Sequence, residues 1–257
     1  MENIKHALYI NLDSRKDRKE HVEKQLKKIG IKAERFNAIK MANGAIGCTM
    51  SHLRCIQTAK EKGWDHLLIL EDDVEFLNPG LFKTQFNEFL NSNIEWDVVL
   101  LAGNNMPPFK QVCEYCVKIS KCQTTTSYMV NGKYFDTLIQ NIREGLALLM
   151  KNPQDHILYA IDKFWFRLQE KDNWYLITPL SVTQRQDYSD IENKITNYTN
   201  VMLDLDKKRF YMRQMEQVKT AMMQVSYMPT SKEQIEQLQV LQKMKRDIEE
   251  KLKVYEK

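Results

Sequence analysis

Glycine and proline are scarce in this chain, eight and six of 257 residues, which excludes collagen-like and Gly/Pro-rich low-complexity proteins. Long apolar runs are missing too: Val98-Val99-Leu100-Leu101-Ala102 falls far short of the roughly 20 residues that span a bilayer. The opening Met1-Glu2-Asn3-Ile4-Lys5-His6 lacks the cationic and long apolar regions of a secretory signal. Five cysteines, an odd number, fit a reducing compartment better than a disulfide framework. The expectation is therefore a cytoplasmic protein without a transmembrane segment. Nor is there a block of one charge. Lys and Arg (38) are interspersed with Asp and Glu (34), leaving a net +4 and no basic patch to argue for nucleic acid. With 43% hydrophobic and 28% charged residues, wholesale disorder is excluded as well.

What the chain does contain is a short apolar run ending in acids, His66-Leu67-Leu68-Ile69-Leu70 followed by Glu71-Asp72-Asp73. The run reads as a strand buried on both faces of a mostly parallel sheet. Such a strand delivers its acids to the carboxyl edge of the sheet, where ligands of α/β folds sit. Adjacent carboxylates repel one another, and a divalent cation relieves that repulsion. An earlier strand, Ala7-Leu8-Tyr9-Ile10-Asn11-Leu12, runs into a polar turn in which Asp13 or Ser14 can cap a helix carrying Val22, Leu26 and Ile29. Arg15 and Arg18 lie one helical turn apart at its start and can reach a phosphate there, or else form a solvated face.

Arg35-Phe36-Asn37-Ala38-Ile39 reads as a second short strand, and Gly44 to His52 as a small-residue turn leading into a helix over 53–62. In that turn His52 can contact a phosphate or serve as a hydrogen-bonded structural residue, while Cys48 reads as a small buried hydrophobe. Strand 96–101 ends in Gly103-Asn104-Asn105, and Met106-Pro107-Pro108 predicts a mobile loop. Cys113, Cys116 and Cys122 lack the second Cys-x-x-Cys pair or histidine of a structural zinc site, so a hairpin with incidental thiols is the simpler reading. Asp162 stands among Tyr159, Phe164, Trp165 and Phe166: a surface acid on an aromatic helix, or a general base beside an aromatic platform. A polar loop with Gln184, Arg185, Gln186, Ser189 and Asp190 follows the strand Trp174-Tyr175-Leu176-Ile177. Beyond about residue 200 Lys, Glu, Gln and Met dominate. The spacing of Met215, Val218, Met222 and Val225, then of Leu238, Leu241, Ile248 and Leu252, predicts a helical hairpin, with Thr230 and Glu233 as a capping box. The expected division is 1–200 for the α/β body and 201–257 for the hairpin. The hairpin can pack on the body, support a homo-oligomer, or make peripheral membrane contact.

In order along the chain, Tyr9-Ile10-Asn11-Leu12 with Arg15 and Arg18, Gly44-x-Ile46-Gly47-Cys48-x-x-Ser51-His52, Leu68-Ile69-Leu70-Glu71-Asp72-Asp73, Thr125-Thr126-Ser127-Tyr128-Met129-Val130 and Ala160-Ile161-Asp162 resemble glycosyltransferase family 25, of the lipooligosaccharide biosynthesis and collagen β-galactosyltransferase type. The resemblance spans about residues 6–190 and departs at the small residues of the Thr125 strand. It implies a GT-A-like, Rossmann-type mixed sheet and inverting transfer of a hexose, galactose or glucose, from a UDP-sugar to a glycan or glycoconjugate acceptor. It further implies Mn2+ or Mg2+ at the acids, with Asp73 and Glu71 as metal ligands and Asn11, Leu12, Arg15, Arg18, Ser51, His52, Glu71 and Asp72 on the nucleotide side. Asp162 is the expected base. Two other readings use the same residues: an idle transferase-like scaffold acting through its hairpin, and a nucleotidyltransferase or phosphoesterase.

Overall fold

The computed structural model describes residues 4–189 and 194–253; Asp190 of the polar loop lies outside them. The chain divides into two compact units, Met1–Leu205 and Asp206–Lys257. The first contains, in order, β1 (Ala7–Asn11), α1 (Lys16–Ile29), β2 (Glu34–Asn37), α2 (Gly44–Glu61), β3 (His66–Glu71), β4 (Val74–Phe76), α3 (Pro79–Leu90), β5 (Val98–Leu100), β6 (Asn104–Cys113), β7 (Cys116–Gln123), β8 (Ser127–Asn131), α4 (Phe135–Lys151), the single turns α5 (His156–Tyr159), α6 (Ile161–Phe164) and α7 (Phe166–Gln169), β9 (Trp174–Ile177), β10 (Val182–Gln184), β11 (Asp187–Ser189), β12 (Lys194–Thr196) and α8 (Thr199–Met202).

Eight of these strands form one mixed sheet in the order β2-β1-β3-β8-β5-β9-β7-β6. β1 runs parallel to β2 and β3, and β5 parallel to β9, while β8 is antiparallel between β3 and β5. Successive side chains of a strand point to opposite faces, and in β3 both faces are covered. Leu67 and Ile69 join one core with Leu8, Ile10, Val98, Leu100 and Ile56 of α2 and Leu138 of α4. Leu68 and Leu70 join the other with Tyr9, Val99 and Leu26 of α1 and Phe82, Phe86 and Phe89 of α3. Each such side chain contributes about 1.5–3 kcal/mol relative to exposure, and the four residues from Leu67 to Leu70, all buried, are all apolar before Glu71. The acids then fall at the end of β3, beside the ends of β1 and β8.

Several local expectations change. The small-residue segment Gly44 to His52 is helix, not turn: α2 starts at Gly44, with the Asn43 side chain accepting from Ile46 N at 3.2 Å. Ser51 and His52 thus sit mid-helix. Met106-Pro107-Pro108 lies within strand β6, where a register shift between Met106 and Phe109 accommodates the prolines at the sheet edge. The loop after β9 contains β10, which pairs antiparallel with β4, and the β11–β12 pair. Among the described residues no side chain caps the start of α1. Cys113 and Cys116 face each other across the β6–β7 turn, with their sulfurs 3.3 Å apart. Among the described residues no group of three metal-ligating side chains forms there.

The second unit is a helical hairpin of α9 (Lys208–Ser226) and α10 (Lys232–Leu252). The cap of α10 is Ser231, one residue later than the sequence suggests, accepting from Gln234 N at 3.1 Å. The Gln234 amide donates to Val225 O and Met228 O, tying the two helices at their connection.

Candidate active site

A cavity of about 460 Å³ opens at the ends of β1 and β3. Asn11, Leu12, Arg15, Arg18, Ser51, His52, Glu71, Asp72 and Asp73, drawn from three separate parts of the sequence, all line it. Asp162 does not. It lines a neighbouring cavity of about 900 Å³ with Thr124, Thr125, His156 and Lys163. Cys48, Glu71 and Gln184 belong to both walls, so the two cavities adjoin at the first of the three acids.

The floor is built by α2. A methyl group on Gly47 would lie 2.5 Å from Ile39 O, so only glycine lets the segment after β2 rest on this helix. Ser51 fastens the contact, its hydroxyl accepting from Ile39 N at 2.8 Å and donating to Gly47 O at 2.7 Å. Its oxygen is therefore engaged in holding the wall. One turn on, His52 is 1% exposed. Its Nδ1 lies 2.9 Å from the Tyr128 hydroxyl and its Nε2 3.2 Å from Glu71 Oε1.

The three acids have different partners. Glu71 Oε1 also accepts from Thr125 Oγ1 at 2.6 Å, and Oε2 accepts from the Gln184 amide at 3.3 Å. Burial works to raise the Glu71 pKa, but hydrogen bonding and charge from His52, then Thr125 and Arg18, bring it below the usual value. Asp72 accepts from Asn11 Nδ2 at 2.7 Å and from Arg18 at 3.1 Å. Burial nonetheless raises its pKa. Asp73 receives Arg18 at 3.2 Å on Oδ2, while among the described residues its buried Oδ1 has no hydrogen-bond partner. Burial, then the charge of Glu71, push the Asp73 carboxyl up to about 7.

Arg18 is the hub of the positive side. Besides Asp72 and Asp73 it donates to Asp187 at 3.1 Å and to Tyr188 O at 2.9 Å. Asp187 also accepts from Arg15 at 3.0 Å and Arg185 at 2.7 Å. Although burial opposes it, bonds from Arg185, the Tyr188 amide and Arg18 depress the Asp187 pKa. Asp162 accepts from Thr124 N at 3.1 Å, and burial raises its pKa against the nearby charge of Lys163.

Sequence reasoning passed over Thr125, Tyr128 and Asp187 as site residues, and assigned Cys48 only to packing. Cys48 Sγ in fact lies 3.8 Å from Glu71 Oε1. The one available signal was the four-residue spacing of Cys48 and His52, which shares a face once the segment is helix.

A buried carboxylate oxygen lacking a donor, in a group of three acids with one guanidinium shared between two of them, fits a hard divalent cation with oxygen ligands. Asp73, whose buried Oδ1 lacks a donor among the described residues, and Glu71 and Asp72 beside it are oxygen groups of the kind such a cation takes.

Residues 40–165 match the family model described as Glycosyltransferase family 25 (LPS biosynthesis protein). A putative glycosyltransferase of Haemophilus influenzae is 28% identical over 129 residues, which is 47% of this chain and 45% of that protein, so the match spans under half the length of this relative. Among solved structures, a glycosyltransferase involved in glycosylating the major capsid of PBCV-1 is similar at 14% identity and TM-score 0.46, over 78% of this chain and 89% of that one. A Drosophila galactosyltransferase variant crystallised with manganese, UDP-Gal and xylobiose is similar at 12% identity and TM-score 0.36, over 76% and 72%. The matched segment, just under half of the chain, includes Cys48, His52, all three strand-end acids and Asp162, and over it the chain resembles glycosyltransferase family 25.

Proposed function

We propose that the protein transfers a hexose of galactose or glucose type, with inversion, from a UDP-sugar to a hydroxyl of a glycan or glycoconjugate. The observation that carries this reading is the pair of adjoining cavities. One is lined by acids and arginines suited to a nucleoside diphosphate, the other by a separate carboxylate, and they share Glu71.

In this reading Asp73 would hold Mn2+ or Mg2+, with Glu71 and Asp72 available to the metal, the ribose or bound water. When bound, the cation would supply Lewis-acid stabilisation of the charge on a leaving diphosphate. Arg15 and Arg18 supply further positive charge on the same side. Both guanidiniums are already oriented by Asp187, so little reorganisation accompanies diphosphate binding. Asn11 orients Asp72. Inversion requires a base on the face of the sugar opposite UDP. Asp162 takes the acceptor hydroxyl proton, and its burial makes it a stronger base than an exposed aspartate.

The test is incubation with a panel of UDP-sugars and Mn2+, measuring UDP release with and without glycan acceptors. Release from one hexose donor supports the proposal. Release of pyrophosphate or phosphate in place of UDP would overturn it in favour of nucleotidyl transfer or phosphoester hydrolysis.

A further inference from the structure

We propose that Cys48, His52 and Glu71 form a second cation site, one for a divalent transition metal of the zinc class, adjoining the oxygen site at Asp73 and Asp72 and sharing Glu71 with it. This inference does not depend on the sugar-transfer reading.

The residues meet because of how the chain folds locally. Cys48 and His52 stand four apart on α2 and so share one face of that helix. Glu71 is the last residue of β3, and its carboxylate is aimed at that face. One ligand atom from each lies within 4.8 Å of the other two. His52 Nε2 is 3.2 Å and Cys48 Sγ 3.8 Å from Glu71 Oε1. A tetrahedral zinc ion with bonds of about 2.0–2.3 Å spaces such atoms about 3.3–3.6 Å apart, so an ion fits once the thiol moves inward by about 1 Å.

The surrounding bonds are of the kind that orient metal ligands. The Tyr128 hydroxyl engages His52 Nδ1 at 2.9 Å, which leaves Nε2 facing the cluster. Thr125 at 2.6 Å and Gln184 at 3.3 Å fix the two oxygens of Glu71. Cys48 and Glu71 line both cavities, which gives the ion a path of entry and an open fourth position. Ligand chemistry separates the two sites: a thiolate and an imidazole select zinc, cobalt or iron, whereas carboxylates alone suit magnesium or manganese.

The experiment uses full-length, chelator-stripped protein titrated with Co2+ in excess Mg2+, followed by the near-ultraviolet thiolate-to-cobalt absorption. The expected result is one equivalent of Co2+ with this band. Cys48→Ser should abolish it and His52→Gln should shift it, while Asp73→Asn and the double variant Cys113→Ser, Cys116→Ser should keep it. Absence of the band from the unsubstituted protein overturns the proposal. So does its survival in Cys48→Ser, or its loss in the Cys113, Cys116 double variant, since either assigns the metal to the thiol pair of the β6–β7 turn. Should Cys48→Ser fail to fold, the unsubstituted protein and the double variant still decide the matter.

Discussion

The buried carboxyl of Asp73 makes the metal-free protein sensitive to pH in a calculable direction. Its pKa is about 7 in the fold against an ordinary 3.8. The folded state therefore keeps a proton between about pH 4 and 7 that the unfolded chain has given up, and stability falls as pH rises through that window. At 1.36 kcal/mol per pKa unit the loss is on the order of 4 kcal/mol, complete above pH 7 and absent below pH 4. Asp73→Asn removes this titration while leaving Arg18 paired with Asp72 and Asp187. Urea denaturation of both proteins in chelator, from pH 4.5 to 7.5, should show the variant gaining on the unsubstituted protein as pH rises, with the two converging near pH 4.5. Added Mn2+ should then stabilise only the unsubstituted protein, by about 2.7 kcal/mol at one hundred times Kd. A variant less stable at pH 7.5, or a stability difference independent of pH, would refute the reasoning.

Other substitutions test other parts of the site. Arg18→Gln removes a positive charge 3.1–3.2 Å from Asp72 and Asp73; calorimetry should find Mn2+ bound more tightly, on the order of tenfold or 1.4 kcal/mol, and UDP more weakly. Gly47→Ala forces a methyl against Ile39 O, and thermal denaturation should report a loss of about 1–3 kcal/mol; an unchanged midpoint would show that the wall yields freely. Asp162→Asn should bind UDP normally yet lose sugar transfer, and normal turnover in that variant would remove Asp162 as the base.

The acidic strand end was legible in the sequence because a strand buried on both faces tolerates nothing polar, so the change from Leu70 to Glu71 marks where it leaves the core. The hairpin was legible from its helical period. The segment from Gly44 to His52 misled because glycine usually signals a turn. Here Gly47 is helical and small only because the backbone of Ile39 lies against it, a tertiary cause with no local mark. β10 is three residues long and exists through its pairing with β4, which is why Gln184 could not be directed at Glu71 from sequence alone. Asp187, the counter-charge of three arginines, had no signal beyond being one polar residue in a polar loop.

The central claim is that Asp73 and its neighbours hold a cation that in turn holds the diphosphate of a nucleotide sugar. Isothermal titration of UDP tests it most directly, performed with Mn2+, with chelator, and with Asp73→Ala in Mn2+. Binding with Mn2+ that disappears in chelator and in the variant is the predicted result. UDP binding of equal strength in all three would contradict the account.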